Sequence, residues 1–322
     1  MTFMIGSWGL TACSDDGGGN PLPPPERTVS LEGAIGQSTR TVIGSDYDKD
    51  LAVCFARQDE TGVSSGQYGA WSVYKATRSS GIGNRPIVFA IPQSYPKDGC
   101  HISLHGYYPV GGEPQAGGPV VDAGAGKVTF TVDGATDIMA TGLLTASGYA
   151  PVQTCTFWHL LTQVRLVCYS DRAALWGMIR TIEAVDVHTR QELDLGAAVP
   201  GLADGSSGGA IKGLPVQGIT DLAIPEITAG ADLPEAQGYI LLPVFPAAGT
   251  TDHPLQLQVT TTKDGKGTDS ETVSDVTVHV EGGFLTGKSH VISLFFTDKN
   301  GIQTTFVSVD TWTDYEQPDM PI

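Results

Sequence analysis

The sequence predicts an all-β protein of two β-sandwich domains in tandem, and three observations carry that prediction. Short runs alternate apolar and polar residues with the period of two that a half-buried strand requires. Gly, Pro and Asp mark the gaps between them, in a chain holding 41 Gly and 20 Pro with only 16% charged residues. Such short strands, regularly spaced and separated by turns, are the signature of sandwiches. At 322 residues the chain is long enough for two ordinary cores. The boundary is placed at Pro151, giving domains over residues 28–150 and 151–322.

The elements follow in order. Val29, Leu31 and Ile35 share one face of a first strand, which Gly33 weakens. Residues 51–57 read as a buried strand. Residues 70–77 alternate with Trp71 and Val73 inward, and residues 86–91, 100–108 and 127–132 continue the series. Residues 154–169 fit a helical face through Phe157, Leu161, Val164 and Cys168, and a strand through Trp158, Leu160, Val164 and Leu166. The threonines at 154, 156 and 162 favour extended backbone, with residues 176–187 as the expected β partner. Further strands are expected over residues 239–244, 255–261, 272–280, 290–296 and 304–312.

The first 27 residues differ in kind from this body. An apolar segment, residues 3–10, ends at Leu10-Thr11-Ala12-Cys13. It is too short to cross a bilayer and has the layout of a secretory segment running into a processing site. The tetrapeptide resembles a bacterial lipobox, which implies a signal peptide over residues 1–12 and lipid on Cys13. Cys13-Ser14-Asp15-Asp16 resembles the acidic surface-export signal of Bacteroidota lipoproteins. No Lys or Arg precedes the apolar segment, which reads as a truncated or misassigned start. Residues 13–27, rich in Gly and Pro, form a linker.

Charge and chemistry exclude several functions. Eighteen Lys+Arg against 35 Asp+Glu give a net charge of −17, which repels nucleic acid and anionic lipid surfaces. Asp46, Asp48 and Asp50 begin like a calcium loop, but Leu51 stands where that loop needs Gly and Arg57 where it needs Glu. Gly62-Val63-Ser64-Ser65-Gly66 matches a nucleophile elbow in letters alone, since a strand follows instead of a helix; a hairpin loop is expected. His101 and His105 lie about 13 Å apart in extended chain and cannot share a metal. No enzymatic activity, metal or cofactor is expected. Cys54, Cys100, Cys155 and Cys168 show no zinc spacing. Buried thiols and a bridge are equally compatible with their settings, any bridge being expected across strands, most plausibly between Cys54 and Cys100.

A resemblance covers nearly the whole chain. Thr136-Asp137-Ile138-Met139-Ala140, the run from Phe157 through His159 to Arg165, Tyr239-Ile240-Leu241-Leu242-Pro243, the run from Gly287 through His290 to Leu294, and Val307 to Trp312 resemble, in that order, a Bacteroidota fimbrillin of the FimA- and Mfa-like type V pilus subunits. The resemblance implies two transthyretin-like sandwiches and export as a lipoprotein held at the outer membrane by Cys13. It also implies removal of an N-terminal strand by an Arg-specific protease, then polymerisation with other pilus subunits by donor-strand exchange on the cell surface. Arg40, in the loop after the first strand, is the expected cleavage site, with Arg27 its competitor. The tail after Trp312 carries Pro318 and Pro321, so shaft, tip and anchor roles stay open. The rival reading is a surface adhesin that captures glycans or a host ligand through Trp71, Tyr107, Tyr108 and Trp176.

Overall fold

The computed structural model describes residues 27–36, 43, 45–110, 118–205, 211–228, 230–244, 248–298 and 301–311. Its strands in the first half are β1 (Glu32–Ile35), β2 (Leu51–Asp59), β3 (Ser72–Arg78), β4 (Arg85–Phe89), β5 (Ile102–Tyr108), β6 (Val120–Asp122), β7 (Lys127–Thr131), β8 (Met139–Ala140), β9 (Leu144–Ala146) and β10 (Thr154–His159). The second half holds β11 (Thr162–Ser170), β12 (Met178–His188), β13 (Arg190–Asp194), β14 (Leu202–Asp204), β15 (Ile211–Pro215), β16 (Leu222–Ala223), β17 (Gly238–Leu242), β18 (Leu255–Lys263), β19 (Asp269–Val278), β20 (Lys288–Phe296) and β21 (Ile302–Thr311). A single 3₁₀ turn, Ala173–Leu175, is the one helical element among the described residues. The all-β sandwich expectation holds.

The first sheet runs β2-β3-β4-β1-β10-β8-β5-β9, and β2 also pairs with β5, so the sheet closes on itself. Alternation along β2 shows why. Leu51, Val53 and Phe55 point into the enclosed core with Ile87, Phe89, Ile102, Leu104 and Phe157, while Cys54 and Ala56 point outward. Phe55 packs against Phe89 and Phe157, with ring centroids 5.4 and 5.9 Å apart. Those rings need space that a side chain on β5 would fill. A Cβ on Gly106 would lie 2.9 Å from Phe55 and 3.0 Å from Phe157.

The outward face of β2 and β5 is itself covered. A four-stranded sheet, β14-β13-β7-β6, lies over it and draws strands from both halves, β7 pairing antiparallel with β13 from Thr131↔Arg190 to Lys127↔Asp194. Tyr107 meets Phe130 edge to face, and the buried His105 bonds the Leu195 carbonyl at 2.9 Å through Nδ1. Burial pushes the His105 pKa down to about 4, so the ring is neutral. Trp71 is buried under the same cover, at the turn into β7, whereas Val73 is 40% exposed. Val73 was expected inward; both residues face outward from the barrel, and the covering sheet reaches only Trp71.

The long run at 154–169 is extended, as expected, but it is two strands. β10, beyond residue 150, joins the first sheet beside β1 and β8, and the chain then passes through Leu160 and Leu161 into β11 of another sheet, β17-β11-β20-β21. Facing that sheet is β15-β12-β18-β19, with Val164, Leu166, Ile182, Leu257, Ile292 and Leu294 in the core between. β12 is thus not the hydrogen-bonded partner of β11. The 3₁₀ turn carries the chain across the core to the opposite layer, and β11 pairs instead with β17 and, in parallel, β20.

No disulfide joins the four cysteines, all of which are buried thiols. The expected Cys54–Cys100 bridge is ruled out by register. Asp59 stands opposite Ile102, so Cys54 lies several residues up β2 from Cys100, roughly 20 Å at 3.3 Å per residue. Cys155 and Cys168 sit in separate cores.

Candidate functional site: the slot of the first strand

β1 is the one strand reached directly from the N-terminal linker, and it lies inside the closed sheet rather than at an edge. It runs parallel to β10, with Glu32↔Thr154 and Ala34↔Thr156, and antiparallel to β4, with Glu32↔Pro86 and Gly33↔Arg85. Its backbone is bonded on both sides. Towards β10, Glu32 N–H donates to the Gln153 carbonyl at 2.8 Å and Gly36 N–H to the Phe157 carbonyl at 2.7 Å. Towards β4, Val29 N–H donates to the Gln93 carbonyl at 2.7 Å, and the Leu31 carbonyl accepts from Ile87 N–H at 2.9 Å. The Arg27 carbonyl accepts from Tyr95 N–H at 2.9 Å, so the ladder begins before β1 itself.

The inward row is Val29, Leu31, Gly33 and Ile35. The three apolar side chains are 3%, 3% and 6% exposed. At Gly33 a Cβ would lie 2.8 Å from Ile87 Cδ1 and 3.4 Å from the Phe157 ring, so the floor of the slot rises there. Beside it lies Arg78, fully buried on β3. Its Nε donates to the Gly33 carbonyl at 3.0 Å, Nη2 to the carbonyls of Gly81 at 2.8 Å and Gly83 at 2.7 Å, and Nη1 to that of Ser79 at 3.4 Å. Burial, then the neighbouring Arg85 charge, lower the Arg78 pKa.

Cys13 and Arg40, the expected lipidation and cleavage positions, lie outside the described residues. The other singled-out residues are dispersed. Ser64 sits at the exposed tip of the hairpin joining β2 and β3, with φ 55°, closed by the Glu60↔Tyr68 bridge. Asp46, Asp48 and Asp50 are exposed, and Asp50 accepts Ser80 N–H at 2.7 Å. The aromatics of the adhesin reading are core residues: Trp71, Tyr107 and Trp176 are buried and Tyr108 is half-buried, because each faces a covering layer. Sequence alternation missed two exposed aromatics among the described residues, Tyr149 at 61% and Trp158. Trp158, 51% exposed, lies on the outer face of β10 over Gly36, where a Cβ would meet its ring at 2.8 Å.

A polar cleft of about 480 Å³ opens at one end of β2 and β3, lined by Arg57, Asp59, Glu60, Ser72, Tyr74 and Gln93 among others. Its charges satisfy one another. Arg57 forks onto Asp59 at 2.7 and 3.0 Å and donates to Gln93 at 3.1 Å. Glu60 accepts Gly66 N–H, His101 N–H and the His101 ring at 2.9–3.0 Å, which hold its carboxyl down to about 2.

Solved structures of similar architecture are known. A candidate cell adhesion protein of Bacteroides uniformis superposes with a TM-score of 0.54 at 16% identity, over 89% of this chain and 98% of its own. Similarly described proteins of Bacteroides ovatus (12% identity, 91% and 100% covered) and Parabacteroides distasonis (10% identity, 92% and 100% covered) also reach 0.54. The chain shares their fold. The shared fold spans nearly the full length of each chain. No protein-family model matches the sequence, and no curated protein matches it either.

Proposed function

We propose that this chain is a cell-surface adhesion protein of the pilus-subunit kind, with a structural and not a catalytic role. In this reading it is exported as a lipoprotein through Cys13 and assembled with other subunits after cleavage at Arg40 releases β1. The observation that carries the reading is the position of β1. It is the first strand of the fold, short, and it fills a slot between β4 and β10 lined by a preformed apolar core. Its removal would bare Ile87, Phe89 and Phe157 and leave Ile87 N–H and the carbonyls of Gln93, Gln153 and Phe157 unpaired. Such an open groove is a template for a strand from another chain, which restores both the ladder and the side-chain pockets. The shared fold with proteins described as adhesive supports the surface role, and the N-terminal linker supports a tether.

Arg27 is the poorer cleavage site. Its carbonyl is already held by Tyr95 N–H, and a cut there would sever the linker yet leave Val29, Leu31 and Ile35 seated. The test is digestion of the full chain with an Arg-specific protease, N-terminal sequencing and a polymerisation assay. Multimers whose subunits begin at Thr41, absent from Arg40→Ala protein, are expected. Fibres from Arg40→Ala protein, or a mature start before Thr41, would sink the reading.

A further inference from the structure

We propose that the β1 slot selects the strand that replaces it. It takes from another subunit an extended segment whose inward row is apolar, apolar, glycine, apolar; the glycine position sets the register, and Arg78 secures the strand through the carbonyl that lies there. This inference rests on the strand-replacement reading above and adds to it what the incoming strand must look like.

Two features of the slot read different properties of a strand. At Gly33 a side chain would have to displace Ile87, whose Cδ1 stands 2.8 Å from where the Cβ would lie, within a packed core that also holds Phe157. The φ of Gly33 is not positive, so any residue could adopt its backbone; the exclusion is one of packing. A strand slipped by two residues keeps its faces but brings an apolar side chain onto that raised floor. Arg78 holds the backbone at the same point. The pairing of β1 with β4 ends at Gly33↔Arg85, and the guanidinium takes the carbonyl that lies there. Its three other bonds go to carbonyls of Ser79, Gly81 and Gly83, in the turn between β3 and β4, so it is held in place independently of β1. A strand slipped by one residue reverses its faces and brings Glu32 or Ala34 onto the same spot, yet it still presents a carbonyl to this donor, so Arg78 secures the backbone of the strand while the spot at Gly33 reads its register.

The experiment uses the full chain cut after Arg40 and a synthetic peptide of residues 27–37 carrying Ala34→Cys. The peptide is offered to proteins carrying Thr156→Cys, Thr154→Cys or Trp158→Cys, so that the disulfide formed reports the register. The unaltered row should cross-link at position 156 alone. A Gly33→Val peptide should bind roughly tenfold or more weakly. Arg78→Met protein should bind the peptide roughly tenfold more weakly with the cross-link still at 156 alone, whereas Arg78→Lys, which keeps the charge and a donor, should lose less. Equal binding of the Gly33→Val peptide, or an unchanged affinity of Arg78→Met protein, would overturn the inference. If no peptide enters at all, strand replacement fails, and selectivity is then decided in the uncut chain. There Gly33→Val must lower the melting temperature clearly more than Ile35→Val does, and Arg78→Met more than Arg78→Lys, with Gly33→Ala standing in if Gly33→Val does not fold. Equal tolerance at 33 and 35 would refute it.

Discussion

Replacing Gly106 with alanine places a methyl group 2.9 Å from the Phe55 ring and 3.0 Å from that of Phe157, between two side chains that are both fully buried. Neither ring is the free end of a flexible chain. Both rings lie in one packed core, Phe55 against Phe157 at 5.9 Å and against Phe89 at 5.4 Å between centroids. Overpacking of this kind costs about 1–3 kcal/mol, a sizeable part of the roughly 5–15 kcal/mol that holds a domain together. Phe157→Leu shortens one of the two obstructing groups, so the added methyl should be partly accommodated in the double variant. The expected coupling is about 1 kcal/mol in the favourable direction, incomplete because Phe55 still stands in the way. Urea unfolding of wild type, the two single variants and the double variant measures it, provided the m-values agree. Strict additivity would show that the ring does not define the space above Gly106, and with it that the floor of the β1 slot is not fixed as described.

Leu31→Ala, at 3% exposure in the same core, is expected to cost about 2–5 kcal/mol in the same assay, and a loss below about 0.5 kcal/mol would contradict its place in the barrel. Glu60 titrates in the folded chain at about 2 instead of its ordinary 4.5, so its contribution is full above pH 4.5 and is lost as pH falls towards 2. Glu60→Gln should therefore flatten the fall of melting temperature across that window, and an unchanged acid limb would refute the reading. Cys54, Cys100, Cys155 and Cys168 are buried, and burial pushes the Cys155 and Cys168 thiols up to about 12. Maleimide should label none of the four in the native chain and all of them in denaturant, so a missing thiol after denaturation would reveal a bridge.

The strands were legible because alternation is local. Val29, Leu31 and Ile35 declare a buried face without reference to any partner, and all three are buried. The pairing was not legible, since nothing in residues 127–131 says that they meet residues 190–194, or that the resulting sheet covers Trp71 and leaves Val73 bare. At the slot, Gly33 read as a weak point in a strand. Its use became visible only once Ile87, Phe157 and Arg78, all distant in sequence, were brought around it. Arg78 carried no signal of its own, because an arginine at the end of a strand is ordinarily solvated.

The central claim is that β1 must leave its slot before the chain can assemble, and a lock between β1 and β10 tests it most directly. Ala34 and Thr156 are register partners on the outer face of a parallel pair, where Cα atoms about 4.8 Å apart fall within disulfide range. The chain carrying Ala34→Cys and Thr156→Cys should close this bond on oxidation with the fold intact. Cut after Arg40 and followed by size-exclusion chromatography, the oxidised protein should stay monomeric with β1 retained, and reductant should restore multimers to the wild-type level. Multimers forming at the same rate with the bond closed would show that assembly does not pass through the β1 slot.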